Sequence, residues 1–329
     1  MVDVPEIPGC EIIAGLKRGG MATVFLGIQK KLNRKVAVKI LEASLLKDKN
    51  TAARFDQETK TAAGLTHSNI IQIFDAGRVA NYHYIVMEYL KKTLRDRMKH
   101  NPGNKIHPEI TIDIIEEMMK ALDYAHFRGV YHRDIKPDNI MFRQDSTPVL
   151  TDFGIARVFD APDRLTKSNI IINTINYMSP EQYKAEQDID GRSDTYSLGV
   201  ILYEMLTGDT PYKGKSQLSV AIHHIEKPVP VLPGEFSRYQ PLIDNMMAKD
   251  REKRLSSGPE FDKLLYKILT GSANTASQQA ESNLYPDEIS DSDEFEPFRL
   301  DEFVLSSPEE VPSTSIFKRL KGAMKSLFG

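Results

Sequence analysis

The chain has 329 residues, 27% charged and 40% apolar, and a formal net charge of −3. That is the balance of a soluble globular protein, long enough for two ordinary domains or for one two-lobed enzyme with an extension. No global charge draws it to nucleic acid, the lone Cys10 excludes an internal disulfide, and no apolar run is long enough to span a membrane. Residues 1–5 are acidic and lack the charged-then-apolar order of a signal peptide, so the expected location is cytoplasmic.

Residues from Cys10 to about Leu41 alternate apolar and polar around a glycine-containing turn, which predicts three antiparallel strands. Within them, the alternation of Val36-Ala37-Val38-Lys39 puts Ala37 and Lys39 on one face. From Pro108 to about Arg128 apolar residues recur at Ile112, Ile115, Met119, Leu122 and Ala125, which predicts a helix with one buried face. It should end near Gly129, a suitable C-terminal cap.

The next stretch carries the chemistry. Tyr131-His132-Arg133-Asp134-Ile135-Lys136-Pro137-Asp138-Asn139 is followed closely by Thr151-Asp152-Phe153-Gly154. Carboxylates, an amide and an ammonium on two short loops suit polyphosphate chemistry. Asp152 and Asn139 can offer hard oxygen ligands to Mg²⁺, which prefers one or two carboxylates plus substrate phosphates. Asp134 can hold the hydroxyl of an incoming nucleophile, and Lys136 can steady the phosphoryl group in transit. The two motifs at this spacing resemble the catalytic loop and Asp-Phe-Gly turn of the eukaryotic-type protein kinases, chiefly the bacterial serine/threonine members.

The resemblance covers about residues 10–269 and implies a fold and a set of roles. The implied α+β fold is a small antiparallel-β N-lobe with one main helix, hinged near residue 90 to a mainly helical C-lobe over 91–270. ATP and Mg²⁺ are expected between the lobes. Leu16-Lys17-Arg18-Gly19-Gly20-Met21-Ala22-Thr23-Val24 stands where relatives have the glycine hairpin that covers the phosphates, but only Gly19 of the three glycines remains. Lys17 replaces the first, and should either stiffen the hairpin or lend its ammonium to phosphate. Lys39 would grip the phosphates and pair with Glu58 on a helix over 45–65. Met87 would guard the back of the adenine pocket, Glu88 and Leu90 would offer backbone groups to the adenine edge, and Leu16, Val24, Ala37 and Met141 would sandwich the ring. His132 is expected to be packed support. The activation segment would run from Asp152 to Ser179-Pro180-Glu181, with Thr166 and Ser168 autophosphorylated and Thr174 beside Asp134 and Lys136. Arg133 would take up such a phosphate. Asp194, at the start of a helix that stops at Gly208, would brace the catalytic loop, and Arg254 would pair with Glu181. The implied activity is phosphoryl transfer from ATP to Ser/Thr hydroxyls of protein substrates; the competing reading is a pseudokinase scaffold, which the lost glycines alone favour.

Beyond Thr270 the composition shifts. Residues 271–280 are small and polar, and from Glu281 to Ser315 eleven acidic residues face the single Arg299, so 271–315 reads as a disordered acidic linker. The sign then reverses. In 316–329, Phe317, Leu320, Met324, Leu327 and Phe328 fall on one helical face, with Lys318, Lys321 and Lys325 toward the other. Such a basic amphipathic helix fits an anionic membrane surface, a partner protein, or a frayed end. Self-association through the kinase domain is a further expectation.

Overall fold

Strong alternation builds the first half of the fold. In the computed structural model, which describes residues 5–18, 22–42, 56–57, 59–153 and 175–271, Cys10–Arg18 (β1), Thr23–Gln29 (β2), Arg34–Glu42 (β3), Ile73–Val79 (β4) and Tyr82–Glu88 (β5) form one antiparallel sheet of order β1-β2-β3-β5-β4. Val36, Val38 and Ile40 pack to one side of it with Phe25, Tyr84 and Val86. Ala37, on the alternate side, packs with Met87, Ile71 and Val149. β1 carries two bulges, at Ile13 and Leu16, and both side chains are exposed there. Part of the expected 45–65 helix is described: residues 56–57 and 59–63 are helical, whereas 43–55 and Glu58 lie outside the described residues.

A smaller sheet follows, of order β6-β7-β8, from Lys92–Thr93 (β6), Ile140–Phe142 (β7) and Pro148–Leu150 (β8). The first sheet is the β N-lobe and the remainder is helical: Leu94–Lys99 (α1), Pro108–His126 (α2), Pro180–Tyr183 (α3), Arg192–Thr207 (α4), Gln217–Glu226 (α5), Gln240–Met246 (α6) and Gly258–Thr270 (α7). The predicted apolar face of α2 is buried. The helix closes as expected: Gly129, at φ +70°, donates to His126 O, and Val130 N–H reaches back to Ala125 O, a Schellman reversal. That turn aims the chain into the catalytic loop.

α4 is buried nearly all round, which explains why its sequence shows no clean apolar stripe. Its buried polar groups are bonded. Ser193 reaches Glu181, Ser197 donates to Tyr177 O at 2.6 Å, Asp194 receives the catalytic loop, and Glu204 receives Arg95 at 2.7 Å. The helix is a post from which the site is hung. By contact the chain divides into two units, Met1–Leu265 and Tyr266–Gly329. The site lies in the first; of the second, only Tyr266–Gly271 is described. Among the described residues no helix is long and apolar enough to cross a membrane.

Candidate active site

β3 alternation gives Lys39 the same face as Ala37, away from the sheet's main core, and only 8% of it is exposed. Its Nζ lies 2.8 Å from Asp152 Oδ1, a residue 113 positions later. An ammonium from the first sheet and a carboxylate from beyond the second therefore meet. Asp152 has left-handed backbone, φ +67°, and the Phe153 that follows is buried, its ring 4.7 Å from that of His132. Burial pushes the Asp152 carboxyl up, but the Lys39 ammonium, with help from His132 and Lys136, holds it below its ordinary value.

The loop between α2 and β7 arranges the remaining charges. His132 is fully buried, accepts at Nδ1 from Asp134 N–H at 3.2 Å, and so donates from Nε2 to Thr151 O at 2.7 Å. It links the catalytic loop to the Asp-Phe-Gly turn and faces no solvent, as packed support should. Asp194 accepts from His132 N–H at 2.8 Å, Arg133 N–H at 2.7 Å and His126 Nε2 at 2.9 Å. A Cβ on Gly191 would sit 2.3 Å from His126 Nδ1, so only glycine lets that ring approach. Burial raises the Asp194 carboxyl and its hydrogen bonds and the nearby histidines bring it below the ordinary value. Arg133, held between these bonds, takes φ +65°.

Asp134 itself is gripped on one side. Lys136 Nζ donates to its Oδ2 at 2.8 Å and its Oδ1 at 3.1 Å, and Asn139 Nδ2 donates to Oδ2 at 3.1 Å and to the backbone oxygen at 2.8 Å. Oδ1 is thus the less committed oxygen. The Asn139 amide is oriented by the same bonds, with its NH₂ toward Asp134 and its Oδ1 left to act as an acceptor. Among the described residues no group of three or more His, Cys, Asp or Glu could cage a metal ion. Asp152 and Asn139 offer two oxygens, a set that fits a Mg²⁺ whose other ligands are phosphates and water.

Four of the proposed adenine-pocket residues come together. Val24 and Leu90 pack against the buried cluster of Ala37 and Met87, with Val149 beneath. Met141, half-buried, pairs with Val149 in the β7–β8 ladder. Leu16 is the second bulge residue of β1 and stands 45% exposed, and Lys17 is exposed opposite Val24. Glu88 keeps one backbone group for a ligand. Its N–H is given to Gln72 O at 2.9 Å, so its carbonyl alone can serve a ligand, and its carboxylate is clamped by Arg143 at 2.7 and 2.8 Å. That clamp had no motif to announce it. Lys249, just before Arg254 in the chain, donates to His224 O at 2.6 Å and Tyr212 OH at 2.9 Å, and its pKa falls to about 8 through burial and the nearby Arg254.

At the far end Ser179 caps α3 with a reciprocal Gln182 bond. Glu181 meets Arg254 in a two-pronged pair of 2.6 and 3.1 Å, both side chains 5% exposed or less. Burial raises the Glu181 carboxyl, and the Arg254 bonds and charge, with Ser193, bring it below the ordinary range. Gly19, Glu58, Thr166, Ser168 and Thr174 lie outside the described residues.

With this geometry in view, comparison with known proteins gives a consistent result: a family model described as the protein kinase domain matches residues 11–267. The chain belongs to the protein kinase family. This kinase domain is 37% identical over 274 residues to a probable serine/threonine-protein kinase PknB of Bifidobacterium longum, an overlap covering 79% of this chain and 39% of that protein. It is 39% identical over 269 residues to the serine/threonine-protein kinase PknB of Mycolicibacterium smegmatis, covering 78% and 42%, and 38% identical over 263 residues to that of Mycobacterium tuberculosis, covering 77% and 42%. The chain thus spans about two fifths of the length of these curated relatives. The kinase family uses ATP, and the two-lobed fold with an antiparallel N-lobe is the one seen here.

Proposed function

We propose that the chain is an active serine/threonine protein kinase that moves the γ-phosphoryl group of ATP to hydroxyls of protein substrates. One observation supports this above the rest: Lys39 of β3 touches Asp152 while Asp134, Lys136 and Asn139 form a single bonded group one short loop away. Pseudokinases usually lose a catalytic Lys or a metal ligand, and Lys39, Asn139 and Asp152 are all present.

The chain's own groups have separable tasks. Lys39 is the cation for the α- and β-phosphates, and Asp152 and Asn139 Oδ1 are the oxygens for Mg²⁺, which would neutralise phosphate charge. Asp134 Oδ1 accepts the proton of the attacking hydroxyl as the new O–Pγ bond forms and the bond from Pγ to the β-phosphate oxygen breaks, releasing ADP. Lys136, already on Asp134, is placed to follow charge onto the transferred group. Val24, Ala37, Met87 and Leu90 enclose the adenine, with Leu16 and Met141 at its faces.

Thr166 and Ser168 are proposed self-phosphorylation sites, and Thr174 a neighbour of the acceptor hydroxyl. Residues 316–329 are proposed to bind an anionic membrane surface from the cytoplasmic side, on the strength of their basic amphipathic pattern. The central test is phosphate transfer from ATP to a generic basic protein, with intact mass read before and after phosphatase treatment. Asp134→Asn should reduce transfer by about 10²–10⁴-fold, the usual contribution of a positioned base. An unaltered rate in that variant, or no transfer by the wild type, sinks the proposal. Loss of the phosphatase-sensitive mass in a Thr166→Ala/Ser168→Ala variant supports the phosphosites, and its retention removes them.

A further inference from the structure

Beside the catalytic loop lies a polar cavity of about 320 Å³, lined by Arg95, Lys99, Asp138, Asn176, Tyr177 and Glu204 among others. Its place in the chain puts it next to the chemistry. Asp138 immediately precedes Asn139, whose amide is bonded to Asp134, and Asn176 and Tyr177 follow closely after Thr174. A peptide whose hydroxyl rests on Asp134 must therefore carry a flanking side chain past this opening.

The charges of the cavity are arranged unusually. Two carboxylates, Asp138 and Glu204, contribute to its walls, and a cavity of that kind left alone would attract a basic residue of the substrate. Arg95 stands between them. Its Nη1 is 2.7 Å from Glu204 Oε1, its Nη2 3.4 Å from Glu204 Oε2 and bonded to the Tyr177 hydroxyl, and its Nε 3.8 Å from Asp138 Oδ2. Tyr177 OH in turn donates to Glu204 Oε2 at 2.6 Å. Arg95 occupies the first turn of α1, where a cation runs against the helix dipole. The helix start is already secured by Thr93 and Asp96, which bond to each other's backbone N–H at 3.1 and 3.0 Å. Nothing about forming α1 asks for an arginine at this position. Among the described residues its side-chain hydrogen bonds and ion pairs are all with the cavity's acids and phenol.

We infer that Arg95 is a specificity-determining residue: it fills and neutralises an acidic subsite, so that the kinase does not select Lys or Arg at the substrate position that reaches this cavity. Lys99 on the same wall tilts the remaining preference toward uncharged or acidic side chains. This deepens the proposed function and rests on it.

The test is a positional peptide library phosphorylated by the full chain. Wild-type protein should show no preference for Lys or Arg at the flanking position where Arg95→Ala gains one. In Arg95→Ala the vacated cavity exposes Glu204 and Asp138, and an arginine supplied by the peptide should restore the missing charge-assisted bonds. Relative kcat/KM for the arginine peptide over its alanine counterpart should rise on the order of tenfold, at one flanking position only. Adding Glu204→Gln should reverse most of that gain. Should Arg95→Ala fold poorly, Arg95→Met/Glu204→Gln leaves no buried charge without a partner, and Asp138 should still confer a gain of roughly threefold. The inference is overturned if a folded variant phosphorylates alanine peptides without acquiring a basic preference. A wild-type preference for flanking Lys or Arg that disappears in Asp138→Asn overturns it as well. Absence of any peptide phosphorylation by the wild type overturns the kinase proposal itself, and this inference with it.

Discussion

Glu181 and Arg254 show what a single pair contributes and how it can be measured. Both side chains are out of water; the guanidinium also donates to Ala248 O and Arg192 O and the carboxylate accepts from Ser193, but each residue is the other's counter-charge. Arg254→Met should lower unfolding stability by about 3–5 kcal/mol, because it leaves an uncompensated carboxylate inside the protein. The double variant Glu181→Gln/Arg254→Met should recover much of the loss, as seen by urea midpoint. A loss in the double variant equal to the sum of the two single-variant losses would mean that the pair is not coupled. The partnership was implied by the family resemblance, which pairs the Glu of Ser179-Pro180-Glu181 with Arg254. Arg95 and Glu204 are 109 residues apart with no such motif, and only the tertiary fold brings them together. The same holds for Glu88 and Arg143, where the sequence pointed to the backbone and the side chain proved to be the more engaged part.

At the level of elements, α2 and α7 approach through an acidic seam. Gly258 N–H donates to Asp123 Oδ2 at 2.6 Å, and Lys120 is shared between Glu116 and Glu117 at 3.0 Å each. Asp262 enters this seam from α7; burial, and after it the charge of Glu116, lifts its pKa to about 6 from an ordinary 3.8. The folded state therefore holds this proton more tightly than the unfolded state. Stability from this group is full below pH 3.8 and is lost as pH rises through about 6. Asp262→Asn should accordingly be more stable than wild type at pH 7, by roughly 1–2 kcal/mol once solvent screening of this half-buried group is allowed for, with the gap closing below about pH 4. Chemical denaturation at the two pH values checks it; a gap that persists in acid would place the effect elsewhere. Period and capping residues announced α2 and its Gly129 reversal. α4 was legible as a helix but not as a post, since its burial on all sides is set by neighbours that come from 95–181 rather than by its own pattern.

For the molecule as a whole, the decisive contacts join distant parts of the chain. The strand that presents Lys39 and the turn that presents Asp152 could each be found by motif, and their meeting is a property of the two-lobed fold. What the sequence alone offers for 316–329 is a charge pattern, and its test is likewise at this scale. Deleting 316–329 should abolish co-sedimentation with anionic vesicles while leaving phosphorylation of a soluble substrate intact, and should have no effect with neutral vesicles. Equal sedimentation with and without the segment would remove the membrane role.

The backbone at Arg133 and at Asp152 has further consequences for the whole. Two residues with side chains sit at φ +65° and +67°, a region that costs an ordinary L-residue about 1–2 kcal/mol. Opposing that cost are the Asp194 carboxylate beneath Arg133 and the Lys39 ammonium against Asp152. The two loops are thus kept under tension, like a bow strung at both tips. A lesion that frees either tip should let the chain slacken into commoner backbone, and heat tolerance and turnover should then decline in step, with neither gained at the other's expense.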